Sequence, residues 1–590
     1  MVRVIAKRTL FKSIKEATKK LETVNKQKDK GESFHHEYSI RPDTYAFKVS
    51  GSNDTRAITQ AKKSSTSSTT AAAPVTFNFI EYIYRYTTNY PFGDKSPQEI
   101  YDEYPLTNSE KLSRLINRPK RVKMTTSDFI EDSLYNPNYG YFSKEVEIYQ
   151  PDLPFEYNNI DDIDEFLNVW QKSYSKYDNT SSKLPATITQ QKKNQEVSVF
   201  TPKPSKSKYA TLAQKIHQSD LQASQQTHSR KSIQLWHTPT ELFQPYYGEA
   251  IARYILVNYK LNGNYPYNDL IIYEMGGGNG TLMCNILNYI KVNQPDIYAR
   301  TQYKIIEISS QLVNKQMTSA FKNKLINQGL DSDKLTIYNK SIFKWNKLVD
   351  DPCFFIALEV FDNFAHDLIA YDNISGEPYE GKVLIDQHGD FYQFFTKELS
   401  YYSNMYLTLR ENSSYSMLKQ QGKILDKVKA MVKPDKVHPL LHSSKQLEYK
   451  HMFFPFKDNL TPGEFIPTRL IEFFQILNHK FPQHSLITSD FNQLPKTIPG
   501  AFNSPVVQTV LQDKMIDVST YMCHQGYFDI MFATDFDLAS ELYKKLTGKV
   551  VRIESHEEFL NQWGDLQATS TKTGENPMVD FYKNVSFMVS

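Results

Sequence analysis

With 590 residues, 40% of them hydrophobic and 23% charged, the chain has material for a sizeable core, and its length suits roughly two to four ordinary domains. Disorder throughout is therefore excluded. The 69 lysines and arginines exceed the 66 aspartates and glutamates by only 3, too small a surplus for the general field that nucleic acid requires. Three distant cysteines, Cys284, Cys353 and Cys523, rule out a disulfide scaffold and a cysteine zinc cage, and no metal is expected. No apolar run approaches the ~18 residues of a membrane-spanning helix.

The first stretch carries Arg3, Lys7, Arg8, Lys12 and Lys15 before its first acid, Glu16, with Val4, Leu10, Phe11 and Ile14 on one side of a helical wheel. A basic, acid-poor, amphipathic start has the profile of a mitochondrial presequence over residues 1–30, and a basic surface helix fits the same residues equally well. Residues 50–75 are small and polar without periodicity and read as a disordered linker. A folded piece follows over 76–175, read as an N-terminal extension with a lid-like segment. Residues 178–232 are rich in Lys, Gln and Ser and read as a disordered insertion. A second folded piece covers 235–565, and 566–590 reads as a polar C-terminal tail.

Within the second piece, short apolar runs alternate with helical spacing. Strands are predicted at 270–274, 303–307, 335–338, 354–358, 485–489 and 527–532. Leu282, Ile286 and Ile290 mark a helix that Pro295 ends, another is predicted over 311–327, and Asp537 is placed to cap a helix after the last strand. Strands alternating with helices predict a parallel, doubly wound α/β sheet.

The sharpest local signal is Glu274-Met-Gly276-Gly277-Gly278-Asn279-Gly280-Thr281, set between a predicted strand and a predicted helix. Glycines let backbone turn tightly and approach a ligand closely. Thr281 stands where a dinucleotide fingerprint needs its third glycine, and no Lys-Ser/Thr pair makes a phosphate loop. The pattern is acid-x-G-x-G-x-G, with a second acid, Glu307, ending the next strand. A carboxylate there suits two ribose hydroxyls, because charge-assisted hydrogen bonds are strong once desolvated.

That loop resembles the first motif of class I S-adenosylmethionine methyltransferases. Three further stretches narrow the resemblance to the MidA-like family: residues 124–142 (MTTSDFIEDSLYNPNYGYF), residues 237–249 (HTPTELFQPYYGE), and Ala357-Leu358-Glu359-Val360-Phe361-Asp362. They lie in the family's order around the glycine loop. The chain departs from the pattern at Gly277, usually proline, at Leu358, usually Asn or His, and at Phe364-Ala365, usually Leu-Pro. The resemblance implies a Rossmann-like class I methyltransferase sheet with helices on both faces, an N-terminal helical extension and disordered insertions. It implies S-adenosylmethionine as cofactor, held by Glu274, Gly276, Gly277, Gly278, Asn279, Gly280, Thr281 and Glu307, with Ile308 and Ser341 beside them. It also implies a mitochondrial protein, in the matrix, acting as a protein-arginine methyltransferase on a respiratory complex I subunit. The alternative within the same family is an assembly factor or binding module without turnover.

The residues themselves leave some roles open. Thr238-Pro239-Thr240-Glu241 has the form of a capping box, and Gly248 and Glu249 suit either the cofactor or helix packing. Residues 136–140 form a turn that serves either as a lid or as a link. His366-Asp367 reads as local structure. Glu359 and Asp362 stand just past a strand's carboxyl end, where open α/β sheets bind ligands. They are the candidate catalytic residues, Glu359 first, because carboxylates can orient a guanidinium and localise its charge.

Overall fold

The computed structural model describes residues 46–49, 95–143, 147–174, 235–318, 321, 325–372, 375–412, 460–511 and 514–590. The proposed presequence, linker and 178–232 insertion lie outside them. Its centre is a seven-stranded sheet built from β1 (Leu270–Met275), β2 (Thr301–Glu307), β3 (Leu335–Asn339), β4 (Cys353–Leu358), β5 (His484–Phe491), β6 (Arg552–Ser555) and β7 (Val585–Val589), in the order β6-β7-β5-β4-β1-β2-β3. β1 to β5 run parallel, and β7 is antiparallel to both of its neighbours. The two halves wind outward from β1 and β4, so the carboxyl ends of those strands bound the crevice.

Five helices cover the sheet: α1 (Tyr246–Leu261), α2 (Thr281–Asn293), α3 (Thr468–Lys480), α4 (Phe536–Thr547) and α5 (His556–Trp563). Alternation along the strands decides which face each residue serves. Ile272, Ile305, Ile356 and Phe587 pack with α1, α2 and α5 in one core. Ile271, Tyr273, Ile306, Phe355 and Met588 pack with α3 and α4 in the other. Burial on both faces is why the central strands read as unbroken apolar runs. Helices therefore lie on both faces, as an α/β fold of this class requires.

Three features depart from the sequence reading. First, the chain between β4 and β5 returns to build a second, six-stranded sheet from Asp367–Tyr371, Pro378–Ile385, Phe391–Thr396 and Glu464–Ile466, joined by the distant Ala46–Val49 and Val122–Thr125. Its members come from widely separated parts of the chain, so no local run announces it. Second, the strand expected at 527–532 exists as Asp529–Met531 but belongs to a separate three-stranded sheet with Val506–Leu511 and Lys514–Asp517. The cap of α4 is Asp535, whose side chain accepts from Leu538 N–H, and Asp537 sits inside the first turn.

Third, 566–590 is not a tail. Val585–Val589 is buried and fills the gap between β5 and β6, with Phe587 stacked on Phe559 at 3.9 Å. The polar residues before it are held by specific bonds: Lys572 N–H and Thr573 N–H donate to the carbonyls of Ile160 and Asp161. Polarity signalled hydrogen bonding there, not disorder. Residues 95–174 likewise share the cores of the main fold, with Tyr149, Tyr157 and Phe166 in the α1–α2 core. The predicted helix over 311–327 is interrupted: it runs Ser310–Gln316, turns at 317–318, and helix is found again at 321 and 325–327. Among the described residues no helix is long and apolar enough to cross a membrane, and no group of His, Cys, Asp and Glu could hold a metal ion.

Candidate active site

The crevice above β1, β2 and β4 is a cavity of about 580 Å³. Of the sequence-nominated residues, Glu274, Gly276, Gly277, Gly278, Asn279, Thr281, Glu307, Ile308, Ser341, Glu359 and Asp362 all line it. Gly280 does not. It caps α2 in the left-handed conformation (φ 76°), and a Cβ there would meet the Phe321 ring at 2.7 Å.

The donor side is built by backbone shape. Gly276 and Gly278 take φ of 75° and 49°, values that a side chain makes costly, so the chain folds back at the strand end without filling the crevice. Gly277 is kept bare for another reason: its Cβ would lie 2.6 Å from Ile305 Cγ2. Glu274 is buried and accepts from Tyr303 O–H at 2.8 Å, and burial pushes its carboxyl up to about 8. Glu307 accepts from Ser309 N–H at 2.9 Å through Oε1, whereas its buried Oε2 has no partner. Burial raises Glu307 to about 7, against the pull of the nearby Ser309, Gly278 and Ile308 amides. Ser341 borders the cavity while its Oγ accepts from Phe343 N–H at 3.3 Å.

Glu241 shows what the capping-box reading missed. Thr238 does cap its helix, accepting from Glu241 N–H. The Glu241 carboxylate, however, turns to the glycine loop, where Oε1 accepts from Asn279 Nδ2 at 2.9 Å and Thr281 Oγ1 at 2.8 Å. Lys315 Nζ then donates to Asn279 Oδ1 at 2.7 Å, and Gln316 Nε2 to the Gly278 carbonyl at 2.7 Å. Gly248 and Glu249 take the packing alternative. Gly248 faces Asn285, with room for no Cβ, and Glu249 lies 3.5 Å from Arg253.

Across from the glycine loop stand Glu359 and Asp362, on the turn that leaves β4. Glu359 holds φ of 53°, unusual for a side-chain-bearing residue, while its N–H donates to the Ser489 carbonyl at 2.8 Å. Burial, then the Asp490 and Glu241 charges, hold the Glu359 carboxyl well above its ordinary range. Asp362 is raised in the same way by burial and by Asp490, Asp529 and Glu359, and its buried Oδ1 has no partner. Residues 124–142 form a wall here: Glu131, Tyr135 and Phe142 line the cavity. That wall is tied to the next loop by Asp132, which accepts from Tyr139 O–H, Asn136 Nδ2 and Gln525 Nε2. His366 is buried and stacked on Phe532 at 3.8 Å, a packing role.

Six carboxylates line the cavity (Glu131, Glu241, Glu274, Glu307, Glu359 and Asp362), against His237 and Lys340 as its basic lining residues. Glu131 is paired with Arg469 at 3.1 Å. Such a lining suits cationic ligands. A glycine cradle that a Cβ would fill, a buried carboxylate oxygen without a partner at the end of β2 and a net acidic wall together fit S-adenosylmethionine, which carries ribose hydroxyls and a sulfonium.

Residues 250–554 match a family described as S-adenosyl-L-methionine-dependent methyltransferase. The protein arginine methyltransferase NDUFAF7 homolog, mitochondrial, of Schizosaccharomyces pombe is 28% identical over 348 residues, covering 57% of this chain and 67% of that one. Its namesake in Saccharomyces cerevisiae is 21% identical over 374 residues, covering 59% and 78%. A crystal structure of a COG1565 superfamily member from Burkholderia thailandensis bound to S-adenosyl-homocysteine aligns over 79% of this chain and 87% of that one, with 12% identity and a TM-score of 0.41. The chain belongs to the S-adenosyl-L-methionine-dependent methyltransferase family.

Proposed function

We propose that this methyltransferase modifies arginine side chains of a protein, and that the acid-lined cavity facing the glycine loop is where donor and acceptor meet. The observation that carries the reading is Glu359, half-buried, and Asp362, buried, two carboxyls opposite the glycine loop that are both raised by burial and then by Asp490. A buried acid of this kind ionises readily only when a cation enters beside it. A guanidinium is such a cation, and its planar fork of donors can engage two carboxylates at once. The names of the two yeast relatives support the same acceptor.

In this reading Gly276, Gly277 and Gly278 leave space for the methionyl part of the cofactor, with Asn279 and Thr281 fixed by Glu241 behind them. Glu307 accepts from the ribose hydroxyls, beside Ile308 and Ser341. S-adenosylmethionine, when bound, supplies an electrophilic methyl group on a sulfonium. Glu359 and Asp362 accept from guanidinium N–H groups, orient one nitrogen toward the methyl and draw positive charge away from it. With the methyl donor bound, Glu359 would take the proton that the methylated nitrogen gives up. Alignment in a site closed to water is the main service required, and proximity can supply roughly 7–11 kcal/mol in favourable cases.

The relatives' names and the basic, amphipathic start support a mitochondrial location, which we extend to the matrix, with a respiratory-chain subunit such as one of complex I as the acceptor protein. Labelled methyl transfer into mitochondrial extract, with methylarginine quantified by mass spectrometry with and without the gene, tests acceptor and location together. Glu359→Gln should lower transfer by about 10²–10⁴-fold, the usual worth of a positioned acid–base group, with cofactor affinity within a few-fold. Unchanged turnover in that variant would refute the role given to Glu359.

A further inference from the structure

The turn carrying Glu359 and Asp362 has one backbone hydrogen bond of its own, from Phe364 N–H to the Phe361 carbonyl at 3.0 Å. Its first residue sits at φ 53°, and the segment lacks regular secondary structure. What meets it from the neighbouring strand is Asp490, fully buried at the end of β5. Asp490 Oδ2 accepts from Phe361 N–H at 2.8 Å and from Asp362 N–H at 3.1 Å. Its Oδ1 accepts from Phe491 N–H at 2.7 Å. One residue earlier, the Ser489 carbonyl takes the Glu359 N–H. Two successive amides converging on one carboxyl oxygen form a backbone nest, a concavity whose shape depends on the acceptor it encloses. On the other side the turn abuts the donor loop: a Cβ on Gly276 would lie 3.1 Å from Val360 Cγ1.

We propose that Asp490 is a positioning residue for methyl transfer: its carboxylate gathers the amides of Phe361 and Asp362, steadies the turn that begins at the left-handed Glu359 and so fixes both acceptor-side carboxylates at one distance from the glycine loop. Asp490 does not line the cavity and acts only through the turn. The structural part stands by itself, and its catalytic consequence rests on the assignment of Glu359 and Asp362 to the acceptor.

A buried carboxylate encircled by donors is expensive unless something depends on it. A strand end could have bonded the turn with carbonyls alone, as Ser489 does for Glu359. A carboxylate instead binds several amides from one point, which suits a turn that must hold a disfavoured backbone angle next to a bound cation.

The test uses the full chain and Asp490→Asn, which keeps the shape but puts an amide donor against the nest. Hydrogen–deuterium exchange with mass spectrometry is read on peptides covering 359–364, alongside S-adenosylhomocysteine affinity by calorimetry and methyl transfer to an arginine peptide. The expected result is exchange at least tenfold faster in that segment, cofactor affinity within threefold, and kcat lowered at least thirtyfold with little change in KM for the cofactor. Exchange unchanged in the segment overturns the proposal, as does full turnover with the segment loosened. Should the variant fail to fold, the wild-type amides of Phe361 and Asp362 decide: protection as strong as in β4 supports the nest, and free exchange overturns it. Absence of transfer to arginine in the wild type would sink the acceptor reading instead, and the exchange result would still judge the nest.

Discussion

Glu307→Gln probes the donor side with little change in shape. Glu307 has Oε1 engaged by Ser309 N–H and Oε2 buried without a partner, so a ligand hydroxyl finds an acceptor oxygen already desolvated. Charge-assisted hydrogen bonds contribute about 1.5–3 kcal/mol and neutral ones about 0.5–1.5. Exchanging one kind for the other at one or two ribose hydroxyls should cost about 1–3 kcal/mol. At 1.4 kcal/mol per tenfold this is a ~5- to ~150-fold rise in Kd for S-adenosylmethionine.

The same carboxyl predicts a pH dependence. Burial places its titration at about 7 in the empty site. Only the ionised form accepts from both hydroxyls, so affinity should rise with pH through 7 and level off above roughly 8. Going from pH 6 to pH 8 takes the ionised share from about a tenth to about nine-tenths, worth up to ~10-fold in Kd. Glu274, raised to about 8, titrates beside it, so the contrast between wild type and variant is the informative quantity. Calorimetry at pH 6, 7 and 8 in two buffers of different ionisation enthalpy reads both affinity and protons released. If Glu307→Gln binds as tightly as the wild type with the same pH slope, the carboxylate does not hold the ribose.

Three further outcomes follow from the geometry. Gly278→Val forces a branched side chain into φ of 49° with Ile148 Cδ1 already 3.2 Å from the new Cβ, at a backbone cost of about 1–2 kcal/mol before any clash with ligand; calorimetry should find cofactor affinity weakened by more than ~30-fold. Deleting 585–590 removes β7 and the Phe587–Phe559 stack from the middle of one sheet edge, so the truncated chain should lose its cooperative thermal transition, and a melt like the wild type's would contradict this. Asp529 is raised to about 7 by burial, so the native state keeps its proton between roughly pH 4 and 7 while the unfolded chain, titrating near ~3.9, has released it. Stability from this group is thus greatest in acid and falls as pH rises through that window; Asp529→Asn should be more stabilising at pH 8 than at pH 5 in denaturant titrations, and an equal effect at both would exclude the mechanism.

The central strands and the glycine loop were legible from the sequence because each is a local property. A strand buried on both faces must be an apolar run, and a loop that turns repeatedly at φ near 50–75° strongly favours glycine. Glu307 was legible for the same reason: it ends the run after the loop, and parallel topology brings adjacent strand ends together. Asp490 and Glu241 carried no such mark. Each looks like an ordinary acid, one after a strand and one in a capping pattern, and each acquires its partners from residues 128 and 38 positions away. The second sheet was hidden likewise, since Ala46–Val49 and Val122–Thr125 find their partners hundreds of residues on.

Sequence alone therefore determined the α/β class, the glycine loop and the acid that ends the following strand, because backbone conformation and burial periodicity are written in neighbouring residues. Tertiary structure alone decided the depth and charge of the acceptor side, the anchoring of its turn and the place of the last strand. Burial, convergence of amides on an anion and the proximity of one carboxylate to another exist only once distant segments have been packed together.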